Sequence, residues 1–410
     1  MSSTADRPPA ATRAGAPGSF FEVLVAFLRL GLTSFGGPIA HLSYFREEFV
    51  IRRRWIDEKG YADLVALGQF LPGPASSQVG FALGLLRGGA AGGVAAWVGF
   101  TFPSAVVMLL AAHGAELAVG GTGAGVVHGL KLVAVAVVAQ AVWGMAASLC
   151  PDRPRATIAV LATAALLLLP STFTQVGVIL AGAMAGFALY KGDQMGLTDM
   201  ALSFQAPRGG AVAALVAFLA LFLGLPLLTL ATDSHAVAMA EAFYRAGSLV
   251  FGGGHVVLPL LERAYVPPGW VTADEFLAGY GVAQALPGPL FTFAAFLGAV
   301  QGPAPNGLLG GIIGLLAVSL PGLLLVYGML PYWDRLRHRP SARAALQGVN
   351  AAVVGVLAAA LYNPIWTSSV LTGADFAVAL LAFAALVWWR VPVWVVVALT
   401  AAAGTIVAAV

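Results

Sequence analysis

Gln69-Phe70-Leu71-Pro72-Gly73-Pro74 breaks one apolar stretch of the chain, and Gln284-Ala285-Leu286-Pro287-Gly288-Pro289 breaks another, 215 residues further on (Pro72 to Pro287). Working outward, the same shift lays Trp55 on Trp270 and Ser77 on Thr292. A shift of 216 lays Phe35-Gly36-Gly37-Pro38 on Phe251-Gly252-Gly253-Gly254 and Arg29 on Arg245. Helix-breaking motifs repeated in register within apolar sequence are the signature of a secondary transporter built from two homologous halves.

Composition sets the compartment. Of 410 residues, 60% are hydrophobic and 10% charged, and the mean hydropathy is +0.89. A soluble domain carries about 25% charged residues. Apolar runs at 90–112, 126–149, 211–230, 307–330 and 344–361 reach or approach the roughly 20 residues that cross a bilayer. The expected fold class is therefore an all-α integral membrane protein. The net charge of +3 is assigned to cytoplasmic loops, and nucleic acid is not expected as a partner. Residues 1–18 are polar and lack the apolar core of a signal peptide, so they read as a disordered cytoplasmic tail. Cys150 is the single cysteine, which leaves no internal disulfide and no cysteine metal cluster. No phosphate-binding Gly-x-x-x-x-Gly-Lys loop, zinc-binding His-Glu-x-x-His helix or nucleophile elbow occurs. Neither enzyme activity nor a cofactor is expected.

The first repeat covers 19–190, a linker with one extra span 191–235, and the second repeat 236–410. Each repeat opens with two broken segments: 20–50 and 61–86 in the first, 237–262 and 272–300 in the second. Four further spans follow in each, at 90–113, 126–149, 156–169 and 174–190, then at 307–330, 344–361, 373–389 and 393–409. If the broken segments are re-entrant hairpins and the N-terminus is cytoplasmic, most of the 21 Lys and Arg residues fall inside, as the positive-inside rule requires. The extra span 211–230 then starts the second repeat from the opposite face, giving an inverted-topology repeat with an external C-terminus. The basic loop 46–59 corresponds to a second-half loop carrying Glu262, Arg263, Asp274 and Glu275, as opposite orientation selects.

Bare backbone survives at membrane depth only against protein or a watery cavity. Pro38, Pro74 and Pro289 stand where a new helix starts, and the amides that follow, with the helix dipole, suit an anion. Candidate substrate contacts are thus Gly36, Gly37, Pro38, Pro72, Gly73 and Pro74, with Gly252, Gly253, Gly254, Pro287, Gly288 and Pro289. The alternative is that these residues only kink packed helices. Arg29 and Arg245 either bind an oxyanion through paired donors or pair with Glu22 and Glu241. Lys131, whose counterpart is Asn350, is a ligand, a counter-charge or an interfacial lysine. Ser76, Ser77 and Thr292 offer hydroxyls beside the breaks. His41, His255, Glu22 and Glu241 are candidates for proton coupling, as is Glu116, though an outside loop suits Glu116 better. Gly-x-x-x-Gly pairs at 88/92, 89/93, 307/311 and 310/314 read as close helix packing.

Phe35-Gly36-Gly37-Pro38 with His41, the Arg53-Arg54-Trp55 loop and the two Pro-Gly-Pro segments resemble the chromate ion transporter family in its long two-domain bacterial form. The resemblance spans about residues 20–150 and 240–362; Phe-Gly-Gly-Gly in the second half departs from the Phe-Gly-Gly-Pro of the first. It implies a cytoplasmic-membrane protein that exports chromate and confers resistance. Sulfate would be a chemically similar competitor, and a proton or counter-ion gradient, as in antiport, would supply the energy. A transporter or channel for sulfate or another anion is the alternative, and a homodimer is left open.

Overall fold

The computed structural model describes residues 18–117, 122–169, 171–190 and 208–407. The expected tail at 1–17, the linker at 191–207 and the side chain of Glu116 lie outside the described residues. Within them the chain is helical, with no strand. Five helices are long and apolar enough to cross a membrane: Ala75–Gly114, Ala124–Leu149, Gly209–Ala231, Gly307–Arg337 and Pro340–Ser369.

The first half begins with α1 (Phe20–Thr33), started by the Ser19 side chain, which accepts the Glu22 N–H. After the break at Gly36 comes α2 (Gly37–Phe45), which continues as a π-helical turn, Arg46–Arg52. The second pair is α3 (Glu58–Phe70), capped by Asp57, and α4 (Ala75–Leu117). α4 is two limbs, because Gly88 and Gly89 leave helical geometry and the chain folds back there. Gly84 on the limb 75–87 then lies so close to the Gly92 carbonyl on the limb 90–117 that no Cβ fits. Of the expected Gly-x-x-x-Gly pairs, Gly92, Gly93, Gly310, Gly311 and Gly314 pack closely, with Gly298 against Gly310 repeating the contact in the second half, whereas Gly88 and Gly89 form the turn and a Cβ on Gly307 would meet nothing within 4 Å.

α1, α3 and the limb 75–87 have 13 or 14 residues, about 20 Å at 1.5 Å per residue. That is too short for the roughly 30 Å hydrocarbon core. Their outer ends gather at one place. Gly18 N–H donates to the Arg87 carbonyl at 2.9 Å and Arg87 reaches Glu22 at 3.0 Å. The Arg87 guanidinium sits 5.3 Å from the Trp55 ring centre, and Arg46 bonds Glu58 at 2.6 Å.

After α5 (Thr122–Leu149), α6 (Arg153–Leu168), α7 (Thr172–Leu189) and α8 (Arg208–Ala231), the pattern recurs. α9 (His235–Ser248) breaks and returns through a short 3-10 turn into α10 (Val257–Tyr265). α11 (Ala273–Ala285), started by a Thr272–Glu275 capping box, breaks and returns as α12 (Phe293–Val300). Their outer ends gather too: Gly302 N–H donates to the Trp270 carbonyl at 3.0 Å, and His235 packs edge-on against Trp270. Here His235 and Gln301 meet at 3.3 Å. α13 (Gly307–Met329) leaves this end. Its continuation, α14 (Trp333–Arg337), brings Arg337 to Asp63 of α3 at 3.0 Å.

α15 (Pro340–Ala360), a π-helical turn with α16 (Thr367–Ser369), α17 (Gly373–Val387) and α18 (Val393–Val407) complete the chain. The late helices are exchanged between halves. α6 and α7 pack on α15, whereas α17 and α18 pack on α5. Gly182 and Gly186 meet Gly348 in the first contact, and Gly404 meets Gly125 and Gly129 in the second, each too close for a side chain. α6, α7, α17 and α18 occupy the stretches read as spans, but at 15–18 residues they extend only about 22–27 Å.

Candidate functional site

The breaks of the two halves meet crosswise. Gly73 N–H donates to the Val250 carbonyl at 2.7 Å, and Gly288 N–H donates to the Ser34 carbonyl at 3.0 Å. Ser34 directly precedes Phe35-Gly36, and Val250 directly precedes Phe251-Gly252. The Pro-Gly-Pro of each half therefore satisfies a carbonyl that the ending helix of the other half leaves without an intrahelical partner. In apolar surroundings such a carbonyl must find a donor. Gly73 (φ +132°) and Gly288 (φ +93°) hold backbone conformations that side chains resist.

The walls repeat as well. A Cβ on Gly288 would stand 2.9 Å from Ser104 Oγ, beside Pro103 of α4. One on Gly73 would stand 3.2 Å from Gly322 Cα, beside Pro321 of α13. Gln78 Nε2 donates to the Pro72 carbonyl at 2.8 Å and to that of Gly322 at 3.4 Å. Pro38 lies beside Gly254 and Leu290 does too, so the starts of the two first-hairpin return limbs face each other.

Around these tips the polar groups are short of partners. Ser34 Oγ, Gln78 Oε1, Thr101 Oγ1, Gln284 Nε2 and Asn350 Oδ1 are buried with no hydrogen bond. Each is on or next to a tip: Thr101 follows Phe100, whose carbonyl abuts Gly288, and Asn350 Oδ1 abuts Gly252. An unmet buried polar group costs about 1–3 kcal/mol. Several together mark a place where water or a ligand completes the set.

His41 is buried between its neighbours. Its Nε2 lies 3.1 Å from the Ser34 carbonyl and its Nδ1 3.4 Å from Ser76 Oγ. With the proton on Nε2, the ring donates to the carbonyl and accepts from the hydroxyl. Ser77 is buried beside it, and Thr292 Oγ1 donates to the Pro289 carbonyl at 2.9 Å. His255 pairs with the Tyr280 hydroxyl at 2.7 Å. Gly36, Gly37, Pro38, Pro72, Gly73 and Pro74 thus come together with Gly252, Gly253, Gly254, Pro287, Gly288 and Pro289.

The expected cations do not converge there. Arg29 lies on the exposed face of α1, and Glu22 pairs with Arg87 rather than with it. Arg245 holds Glu241 through Nε at 3.1 Å. Lys131 reaches Asp274 at 2.6 Å, at the start of α11, about 20 Å along that helix from Pro287. The tips are lined by neutral polar groups, donors and acceptors both. Reading motifs alone missed Ser34, Thr101, Ser104 and Gly322, although Pro103 and Pro321, at matching places in their spans, pointed to the walls. Among the described residues no cluster of His, Cys, Asp or Glu can hold a metal.

Replacing His41 with Leu removes a donor to Ser34 and the acceptor of Ser76. Losing this pair of bonds is expected to slow any transport through the tips about tenfold or more, measured as vesicle uptake per unit of inserted protein. An unchanged rate would take His41 out of the site.

The sequence profile of the chromate transporter family matches residues 21–187 and 237–405, one copy per half. The chain belongs to the chromate transporter family. A "Chromate transport protein" of Pseudomonas aeruginosa is 29% identical over 355 residues, covering 84% of this chain and 80% of that protein. A protein of the same name from Cupriavidus metallidurans is 26% identical over 365 residues, covering 87% and 86%. An uncharacterized transporter of Methanocaldococcus jannaschii is 27% identical over 348 residues, covering 83% of each. No solved structure matches. With the family and five span-length apolar helices, the chain is a multi-pass membrane protein.

Proposed function

We infer that the protein is a secondary active transporter that exports chromate across the cytoplasmic membrane, and so confers chromate resistance. The observation that carries this reading is the crossed pair of breaks with its ring of unpartnered polar groups. A tetrahedral dianion stripped of water needs several converging donors. Ser34, Thr101 and Gln284 side chains and the amides opening the return limbs supply them, without fixed cations that would hold the anion too tightly to release it. The relatives named for chromate transport favour chromate as the anion.

Alternating access follows from an inverted repeat of re-entrant hairpins. Limbs of about 20 Å end near the middle of the membrane, and each hairpin begins and ends at one side. The first half's hairpins end at a cluster holding Arg46, Arg53 and Arg87, and the second half's end at a cluster with Gln301 and His235, where Arg263 is the one Lys or Arg between residues 249 and 302. The positive-inside rule assigns the first cluster to the cytoplasm and the second to the outside. The Arg337–Asp63 contact supports the same orientation, because α13 starts beside Trp270 and ends beside α3. Rocking the halves about the crossed breaks would open the tips first to one face and then to the other.

The test is uptake of labelled chromate into inverted membrane vesicles, with and without a proton gradient and with excess sulfate. Saturable, gradient-dependent uptake that sulfate competes for is the expected result. Uptake no greater than in vesicles lacking the protein would overturn chromate as substrate; flux indifferent to every ion gradient would overturn coupling and leave a passive anion pathway.

A further inference from the structure

Beside the crossed breaks, and distinct from them, a surface cleft runs between α7, α9 and α10. It is lined by Gln175 from α7, Arg245 and Leu249 from α9, and Leu260 and Arg263 from α10. Leu249 forms one limit of the cleft and is followed by Val250, whose carbonyl takes the Gly73 N–H. One wall of the cleft is thus one residue from the tip region.

Its chemistry is that of an anion seat. Arg245 lines the cleft and is held through Nε by the Glu241 carboxylate at 3.1 Å. Arg263 is anchored from one side, Nη1 donating to the Ser171 carbonyl at 2.6 Å. Gln175 is 2% exposed, and its Nε2 is a buried donor with no partner. An orphaned amide donor facing two tethered guanidiniums is arranged for oxygens that are absent from the protein itself. The repeat makes the feature one-sided: shifting by 216 takes Arg245 to Arg29 but Arg263 to Glu47. The corresponding place in the first half thus lacks the second guanidinium.

The geometry points to a second oxyanion-binding site, a vestibule formed by Gln175, Arg245 and Arg263 through which a tetrahedral dianion such as chromate or sulfate passes between the Trp270 face and the crossed breaks. This rests on the oxyanion-transport reading of the tips. The vestibule concentrates the anion at one face and sets the affinity there. It leaves turnover at the tips unchanged. Two guanidiniums and a neutral amide, with a hydrophobic border at Leu249 and Leu260, suit a compact dianion better than a large organic anion.

The experiment uses the full chain in proteoliposomes of defined orientation, with labelled chromate presented from either face and sulfate as competitor. Arg263→Gln and Gln175→Leu are each expected to raise the half-saturating chromate concentration at the Trp270 face about tenfold, a loss of about 1.4 kcal/mol. The maximal rate and the half-saturation at the opposite face stay as in the wild type. Arg263→Lys, which keeps charge but loses the fork, falls between. Equal loss at both faces, or a lower maximal rate with unchanged half-saturation, would assign these residues to folding or to the tips and overturn the vestibule. Wild-type behaviour of both variants from both faces would also overturn it. Absence of oxyanion transport in the wild type would instead strike the tip reading, and direct sulfate binding to detergent-purified wild type and Arg263→Gln would then judge the vestibule alone. Weaker binding in the variant supports it, and equal or absent binding rejects it.

Discussion

Gly288→Val is expected to abolish the proposed chromate transport while the protein still inserts into the membrane. Three effects add at this position. A φ of +93° is open to glycine and costs a branched residue about 1–2 kcal/mol or more. A Cβ would stand 2.9 Å from Ser104 Oγ and 3.2 Å from the Phe100 carbonyl, and the latter is backbone in a packed span. Moving the chain to relieve that contact breaks the hydrogen bond from Gly288 to Ser34, leaving a buried carbonyl short of a donor. Insertion is directed by the long apolar helices, which the substitution does not touch. Gly37→Ala is the matched control. Gly37 also has positive φ, at +78°, but no atom lies within 4 Å of its Cβ position, so it carries strain without collision and is expected to retain part of the rate. Uptake per inserted molecule is the measurement. Equal activity of Gly288→Val and wild type would mean that the crossed bond has no part in transport.

Arg337→Leu is expected to lower thermal stability strongly. Arg337 is nearly fully buried, gives both oxygens of Asp63 a hydrogen bond from Nη1 at 3.0 and 3.1 Å, and bonds Asp334 through Nε and Nη2. Its loss strands the Asp63 carboxylate, whose side chain is only 19% exposed. Breaking such a pair from one side costs about 3 kcal/mol, whereas removing both partners costs much less. The double variant Arg337→Leu, Asp63→Leu is therefore expected to regain most of the lost stability, read as the unfolding temperature in detergent. Equal instability of single and double variants would show that Arg337 acts by packing alone. The pair joins α14 to α3, across the two halves.

The register of the repeat was legible before any coordinates. It was carried by Pro72-Gly73-Pro74 and Pro287-Gly288-Pro289, with the two Phe-Gly-Gly motifs, and the helices begin and end close to where the apolar runs and their breaks placed them. The crossing was not legible. Repetition says that two motifs are equivalent, but not that Gly73 meets Val250 instead of Ser34, because both carbonyls precede the same Phe-Gly-Gly pattern. Cation roles failed for a related reason. Lys131 and Asp274 lie 143 positions apart, and nothing local to a lysine in an apolar run announces a remote carboxylate. Arg245 did show its alternative, since Glu241 stands one helical turn before it. Ser34 and Thr101 escaped notice because a lone hydroxyl in a membrane helix ordinarily bonds the preceding turn; only packing shows that these two do not.

The exchange of late helices bears on how the molecule is made. α5 lies against α17 and α18, which leave the ribosome more than 200 residues after it. At about 5–20 residues per second, the face of α5 that carries Gly125 and Gly129 waits on the order of 10–45 s for its permanent neighbours. Until then it must rest against lipid or an insertion chaperone. α15 has no such delay, since α6 and α7 are already in place when it emerges. The first half is thus held in an unfinished state through the synthesis of the second, and a stalled or truncated chain leaves the membrane quality-control machinery an exposed stripe of small residues to detect.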